Sequence, residues 1–167
     1  MAGIERVVVR RMELADVEAV HQIDTLSFSL PWPERSFRFE LLENPLSRAW
    51  VAVVGEEKQI AAMMVLWLIV DEAHIGTLAT HPNFRRLGLG ARLLAHGLLA
   101  AREEGAQQSF LEVRRGNLAA QALYQRFGYE VTAVRARYYR DNGEDALLMT
   151  LADLQSEACR VRLTAFL

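Results

Sequence analysis

Arg85-Arg86-Leu87-Gly88-Leu89-Gly90-Ala91 stands between an extended run, His74–Thr80, and a long alanine- and leucine-rich segment, Gly88–Glu104. A strand that turns through glycines into a helix exposes unpaired backbone N–H groups at the positive end of the helix dipole, which is a ready anion site. Glycine suits such a turn because a Cβ would hold an anion away from the backbone. Spacing alone leaves a second reading open, in which Gly88 and Gly90 only ease the passage from strand to helix. A P-loop is excluded, since it needs Gly-Lys-Ser/Thr and Lys58, the single lysine, lies far upstream. A dinucleotide fingerprint is excluded because Arg92-Leu93 stand where its third glycine would fall.

Upstream of this turn, Val7–Arg10 predicts a strand, and Asp16 is placed to cap a helix with Val17, Val20 and Ile23 on one side. Phe28-Ser29-Leu30-Pro31-Trp32-Pro33 must break that helix, because residues before proline leave the helical region. Pro33 suits the first position of a second helix, running to about Glu43. Ala49–Val54 and Gln59–Val70, separated by Gly55-Glu56-Glu57-Lys58, read as a hairpin, and His74–Thr80 extends it past Asp71-Glu72. Downstream, Gly105 ends the long helix and Phe110–Val113 is a short strand. Leu118–Phe127 is a helix closed by Gly128, and Tyr129–Arg135 with Ala146–Leu151 form a last hairpin around Asp141-Asn142-Gly143. The order β-α-α-β-β-β-α-β-α-β-β predicts one mixed α/β domain over residues 1–154. Residues 155–167 form a weakly helical tail with no assigned role.

Composition narrows the function classes. The chain has 167 residues, 51% hydrophobic and 24% charged, enough for one core and too apolar for a disordered chain. A formal charge of −2 argues against nucleic acid as a partner. Every basic side chain except Lys58 is an arginine, either compositional bias or, at some positions, a fork for phosphate. Met1-Ala2-Gly3-Ile4-Glu5-Arg6 shows no secretory leader. The longest apolar run, Ile60–Val70, is about half of what a membrane-spanning helix needs. Cys159 has no partner for a disulfide, and His21, His74, His81 and His96 lack metal-ligand spacing. The expectation is a cytoplasmic protein without a metal and without a membrane partner.

Arg85-Arg86-Leu87-Gly88-Leu89-Gly90 resembles the Gln/Arg-x-x-Gly-x-Gly/Ala signature of the GNAT acetyltransferase superfamily. Three more blocks, one upstream and two downstream, stand in that superfamily's order along the chain. Leu111-Glu112-Val113-Arg114-Arg115-Gly116-Asn117 with Ala122–Tyr129 is similar to the ribosomal-protein-alanine N-acetyltransferases and their archaeal and eukaryotic N-terminal relatives. Phe28-Ser29-Leu30-Pro31-Trp32 and Arg137-Tyr138-Tyr139 agree, although a leucine stands where Phe-Pro-Trp is common in the family. The resemblance spans about Val8 to Leu151. It implies a GNAT fold: a mixed, mostly antiparallel sheet with helices on both faces, splayed where the cofactor enters.

The resemblance also implies residue roles. Leu78, Ala79 and Thr80 would meet the pantetheine arm of acetyl-CoA, and Arg85, Arg86, Leu87, Gly88, Leu89, Gly90 and Ala91 its pyrophosphate. Asn117 would be a further cofactor contact, Glu112 the general base and Tyr124 the general acid. Leu30, Pro31, Trp32, Tyr138 and Tyr139 would line the groove for a peptide acceptor. The implied reaction is acetyl transfer to a protein N-terminal amine, with the alanine of a small-subunit ribosomal protein as acceptor; other peptides, small-molecule amines and a non-catalytic CoA-binding module are the alternatives. Without the resemblance, Glu112 reads as a solvated strand residue facing away from Leu111 and Val113. Tyr124 reads as an amphipathic-helix aromatic, and Trp32 serves core or groove equally well.

Overall fold

Strands whose residues are apolar without alternation need cover on both faces. In the computed structural model, which describes residues 6–167, β2 (Ser47–Val54) and β3 (Gln59–Ile69) are such strands, buried through most of their length. The reading of Met1–Glu5 as free of a secretory leader lies outside the described residues. With β1 (Val7–Arg11), β4 (Glu72–Thr80), β5 (Gln108–Arg114), β6 (Glu130–Arg135) and β7 (Ala146–Leu151) they form a seven-stranded sheet, ordered β1-β2-β3-β4-β5-β7-β6. All neighbours are antiparallel except β4 and β5.

Helices α1 (Val17–Ser27) and α2 (Glu34–Leu42) cover one face, burying Val17, Val20, Ile23 and Phe37 against Val51, Val53, Met63 and Val65. Helices α3 (Leu89–Glu103), α4 (Leu118–Phe127) and α5 (Glu157–Thr164) cover the other, where Leu93, Leu94, Leu98, Phe127 and Leu163 are fully buried. The expected mixed, mostly antiparallel sheet with helices on both faces is what the chain forms. The tail is built into this second layer. Ser156 caps α5 by accepting the Cys159 N–H, Cys159 and Leu163 are buried, and Arg162 donates to the Phe127 carbonyl at the end of α4 at 2.9 Å.

Three local expectations shift. Asp16 does not cap α1: its carboxylate turns back to accept the Glu13 N–H at 2.8 Å and a two-pronged bond from Arg10 at 2.7 and 2.8 Å, the stronger charge-assisted arrangement. Pro33 lies one position earlier than predicted, extended at the N-cap of α2. The turn before β4 falls on Val70, which is 90% exposed and left-handed at φ 57°, so β4 begins at Glu72.

The feature that makes a site is the parting of β4 from β5. They pair only over Glu72–His74 and Gln108–Phe110. Just beyond, the register of β3 against β4 slips between Val65 and Leu66, leaving Gly76 as the extra residue of a bulge. A Cβ at Gly76 would come within 2.9 Å of the Trp67 ring, so the bulge requires glycine there. The bulge re-aims β4 where its parallel neighbour departs, and the sheet splays open.

Candidate active site

The splay holds a cavity of about 240 Å³ lined by both parted strands, by helices and by loops. β4 contributes Ile75–Leu78, β5 contributes Leu111–Arg114, and α4 with its leading turn contributes Asn117, Ala120 and Tyr124. The segment after α1 supplies Phe28, Leu30 and Trp32, and Tyr139 enters from the loop between β6 and β7. Glu112, Tyr124, Asn117, Leu78, Leu30, Trp32 and Tyr139, far apart in sequence, therefore meet around one space. Pro31 and Tyr138 do not line it. Tyr138 stands outside, its ring perpendicular to Tyr139 at 5.2 Å.

The free edge of β4 is polar in a defined way. The His81 N–H donates to the Ala61 carbonyl at 2.8 Å, so Ala79 and Thr77, two and four residues back, also direct their backbone toward β3. Leu78 and Thr80 then direct theirs toward the gap left by β5. The Thr80 carbonyl is already engaged by the Arg85 guanidinium at 3.1 Å, while the Ala79 side chain is buried on the face under α1.

At the end of β4 the chain turns through Arg86 and Gly88, left-handed at φ 65° and 77°, and enters α3. The first intrahelical bond runs from the Arg92 N–H to the Gly88 carbonyl, so the N–H groups of Leu89, Gly90 and Ala91 have no intrahelical acceptor. These N–H groups, with Leu87 and Arg86 exposed beside them, form a cradle whose chemistry suits a diphosphate. Arg85 points back to Thr80 and Ser27 and staples the turn to β4 and α1. Gly88 is fixed by its positive φ. Gly90 is not fixed by the fold, since an added Cβ would meet only Thr80 Oγ1 at an ordinary 3.5 Å.

Glu112 is half-buried on β5 and ion-paired to Arg135 at 3.1 Å, with the Tyr138 phenol beside it raised above its ordinary value. Tyr124 is 9% exposed on α4, edge-on to Tyr129 at 5.8 Å, and burial with the nearby Tyr139 pushes its phenol up to about 12. Asn117 caps α4, accepting the Ala120 N–H at 3.1 Å, which leaves its amide NH₂ as the free donor. Trp32 combines both readings offered for it. Its ring stacks on Trp67 at 5.9 Å and leans on Phe37 at 5.3 Å, yet it still lines the cavity.

Two charged residues of the cavity were not singled out from the sequence. Asp24 on α1 is 1% exposed; it accepts the Trp32 N–H at 2.7 Å, and burial pushes its carboxyl above the usual range. Its signal was a carboxylate continuing the apolar face of Val17, Val20 and Ile23. Arg114 lies two residues beyond Glu112 on the same face of β5, and its partners Asp141 and Glu144 sit in the loop before β7. Among the described residues, no group of three His, Cys, Asp or Glu side chains could hold a metal ion. No described helix is long and apolar enough to cross a membrane.

The model of the acetyltransferase (GNAT) family matches residues 17–129. The chain is 40% identical over 141 residues, covering 84% of this chain and 92% of the relative, to a Bacillus subtilis (strain 168) protein called "Putative ribosomal protein bS18-alanine N-acetyltransferase". It is 31% identical over 145 residues, 86% of this chain and 95% of the relative, to the ribosomal protein bS18-alanine N-acetyltransferase of Escherichia coli (strain K12). The crystal structure of the ribosomal-protein-S18-alanine N-acetyltransferase from Escherichia coli superposes with a TM-score of 0.80 at 28% identity, covering 91% of this chain and 97% of that one.

Proposed function

The chain belongs to the acetyltransferase (GNAT) family, and from that premise we propose that it transfers acetyl from acetyl-CoA to a protein N-terminal amine, the alanine of ribosomal protein bS18. The observation that carries this reading is the meeting of Glu112, Tyr124 and the free backbone of Leu78 around one cavity, at the end of the strand that runs into the Gly88–Ala91 cradle. The Escherichia coli relative is named for the alanine of bS18, and the similarity runs through most of both chains.

Acetyl-CoA supplies the activated acyl group as a thioester; the protein's part is to hold it, hold the amine and move two protons. The Leu89, Gly90 and Ala91 N–H groups would take the pyrophosphate, and Asn117 would add a side-chain donor. An α-amine has a reference pKa of about 7.7–8.0, so much of it must lose a proton before it can attack. Glu112 is the residue we assign to accept that proton, directly or through a water. The Leu78 N–H, aimed into the gap, would stabilise the charge that develops on the acyl oxygen, a role worth about 3–4 kcal/mol in comparable sites. Tyr124, whose phenol stays protonated at neutral pH, would donate to the departing sulfur. Leu30, Trp32 and Tyr139 would border the peptide, and the reaction calls for no metal, nucleic acid or membrane. A cytoplasmic setting, where ribosomal proteins are made, belongs to the same proposal.

Steady-state turnover on peptides beginning Ala-Arg, Met-Glu and Ser-Glu, beside spermidine and aminoglycosides, tests the acceptor class. The highest kcat/KM is expected on the alanine peptide with the bS18 N-terminal sequence. A best rate on a small amine would overturn the ribosomal reading.

A further inference from the structure

Arg114 makes more side-chain contacts than any single catalytic role would ask of it. One of its nitrogens lies 3.1 Å from Asp141 and 3.3 Å from both Asn142 and Glu144; the other lies 3.0 Å from Asp141 and 3.3 Å from the Ser29 hydroxyl. The guanidinium also stacks on the Tyr139 ring at 3.8 Å. Ser29 belongs to the segment between α1 and α2, whereas Asp141, Glu144 and Tyr139 belong to the loop between β6 and β7. Ser29 bonds directly to Asp141 as well, closing the circuit between the two loops. Glu144 carries the circuit to the floor by accepting the Gly116 N–H at 2.6 Å, in the turn between β5 and α4.

Both loops border the cavity, through Leu30 and Trp32 on one side and Tyr139 on the other. Backbone bonds shape the β6–β7 loop internally and tie Asp145 to Arg115, but the hydrogen bonds that join this loop to the segment between α1 and α2 all come from side chains. We propose that Arg114, Asp141 and Ser29 form a latch that fixes the separation of the two acceptor walls and holds the Tyr139 ring against the cavity. Arg114 is thus a positioning residue for the acceptor, acting through Tyr139 and the loop carboxylates. The inference rests on reading this cavity as the acceptor site.

An arginine is required because no other side chain offers a planar fork to two carboxylates while stacking on a ring. Lysine would keep the charge and lose both geometries. Releasing the latch would widen the groove and leave a peptide to order the walls on binding, at an entropic cost that appears in its affinity. The acetyl-CoA cradle at the start of α3 shares no residue with the latch and would feel little of it.

The test measures the latch and its consequence separately, in the full chain. Amide hydrogen exchange is read at residues 28–32 and 136–145, without substrates, for the parent and for Ser29→Ala, Asp141→Asn and Arg114→Lys. Peptide KM and acetyl-CoA KM are then read on the same proteins. Faster exchange in both segments is expected, with peptide KM raised about tenfold and acetyl-CoA KM within about twofold. Ser29→Ala removes a single exposed hydroxyl, so the test survives if an Arg114 variant fails to fold. Unchanged exchange in all three variants overturns the latch. Faster exchange with peptide KM unchanged overturns its role toward the acceptor. A parent protein that acetylates no peptide removes the functional reading and with it the acceptor role, while exchange still decides whether the loops are tied.

Discussion

The Arg135 guanidinium reaches across β7 from the edge strand β6 to lie 3.1 Å from the Glu112 carboxylate on β5. The pair is half-exposed, so its worth is in aiming the carboxylate rather than in stability, where such pairs contribute about 0–1 kcal/mol. Glu112→Gln is expected to lower kcat by about 10²–10⁴-fold, the usual share of a positioned general base. Acetyl-CoA affinity, measured by calorimetry, should not change. Arg135→Gln should leave the thermal midpoint nearly where it is. An active Glu112→Gln enzyme would remove Glu112 from the base's role.

Tyr124 gives a signature in pH. Burial disfavours the phenolate and raises the phenol to about 12, so the neutral, proton-donating form persists far into alkaline solution. The rate of the chemical step should therefore show no descending limb from this group up to about pH 10, two units below that value. Tyr124→Phe should lower the rate throughout that range. A limb near the ordinary phenol value of about 10 that vanishes in Tyr124→Phe would contradict the burial argument.

Gly88 and Gly90 separate fold from function. At Gly88 the backbone is left-handed in open space, so Gly88→Ala should cost about 1–2 kcal/mol of stability through conformation alone. Gly90 is helical with only Thr80 Oγ1 at 3.5 Å in the way of a Cβ. Gly90→Ala should therefore hold or raise the thermal midpoint, since alanine is the better helix former. Because the signature itself admits alanine at this position, acetyl-CoA affinity should change little in Gly90→Ala, whereas Gly90→Val sets a branched side chain beside the open N–H groups and should weaken it. Unchanged affinity in a folded Gly90→Val protein would refute the cradle.

The element order was legible because glycines and prolines punctuate it where φ or a missing N–H demands them. Gly88, Gly105 and Gly128 all have positive φ at helix boundaries. Which strands part was not legible in residue periodicity. The bulge at Gly76 depends on the Trp67 ring lying under it, a contact between two strands that no local pattern encodes. The expectation of a splay came from the resemblance. The resemblance named Leu30, Pro31, Trp32, Tyr138 and Tyr139 for the acceptor side; of these, Leu30, Trp32 and Tyr139 line the cavity, and which members of each loop do so is set by packing that a matched motif does not encode. Arg114 was invisible as a hub because its partners lie 27 and 30 residues further on.

Helix α5 carries more of the fold than a tail would. Leu163 is fully buried, and Phe166 stacks on Phe127 at 4.2 Å. Leu163→Ala should cost about 2–5 kcal/mol, the range for a buried leucine that leaves a cavity, read as a lower urea midpoint with unchanged slope. A cost below about 0.5 kcal/mol would mean that α5 is docked without contributing to stability.

Asp24 makes stability depend on pH in an unusual direction. Its folded carboxyl is raised by burial, partly offset by the Trp32 N–H and the Thr77 hydroxyl. A raised acid stabilises the fold fully below its unfolded value of about 3.9, and that contribution is lost as pH rises through the folded value. At neutral pH the parent therefore carries the cost of a buried charge. Asp24→Asn can still accept the Trp32 N–H without that charge, so its thermal midpoint relative to the parent should rise from pH 4 to pH 8. Asp24→Ala leaves the Trp32 N–H without its acceptor and should cost about 1–3 kcal/mol at either pH. A midpoint difference for Asp24→Asn that stays flat or falls across this range would show that the ionised carboxylate is held by more than the two bonds it makes here.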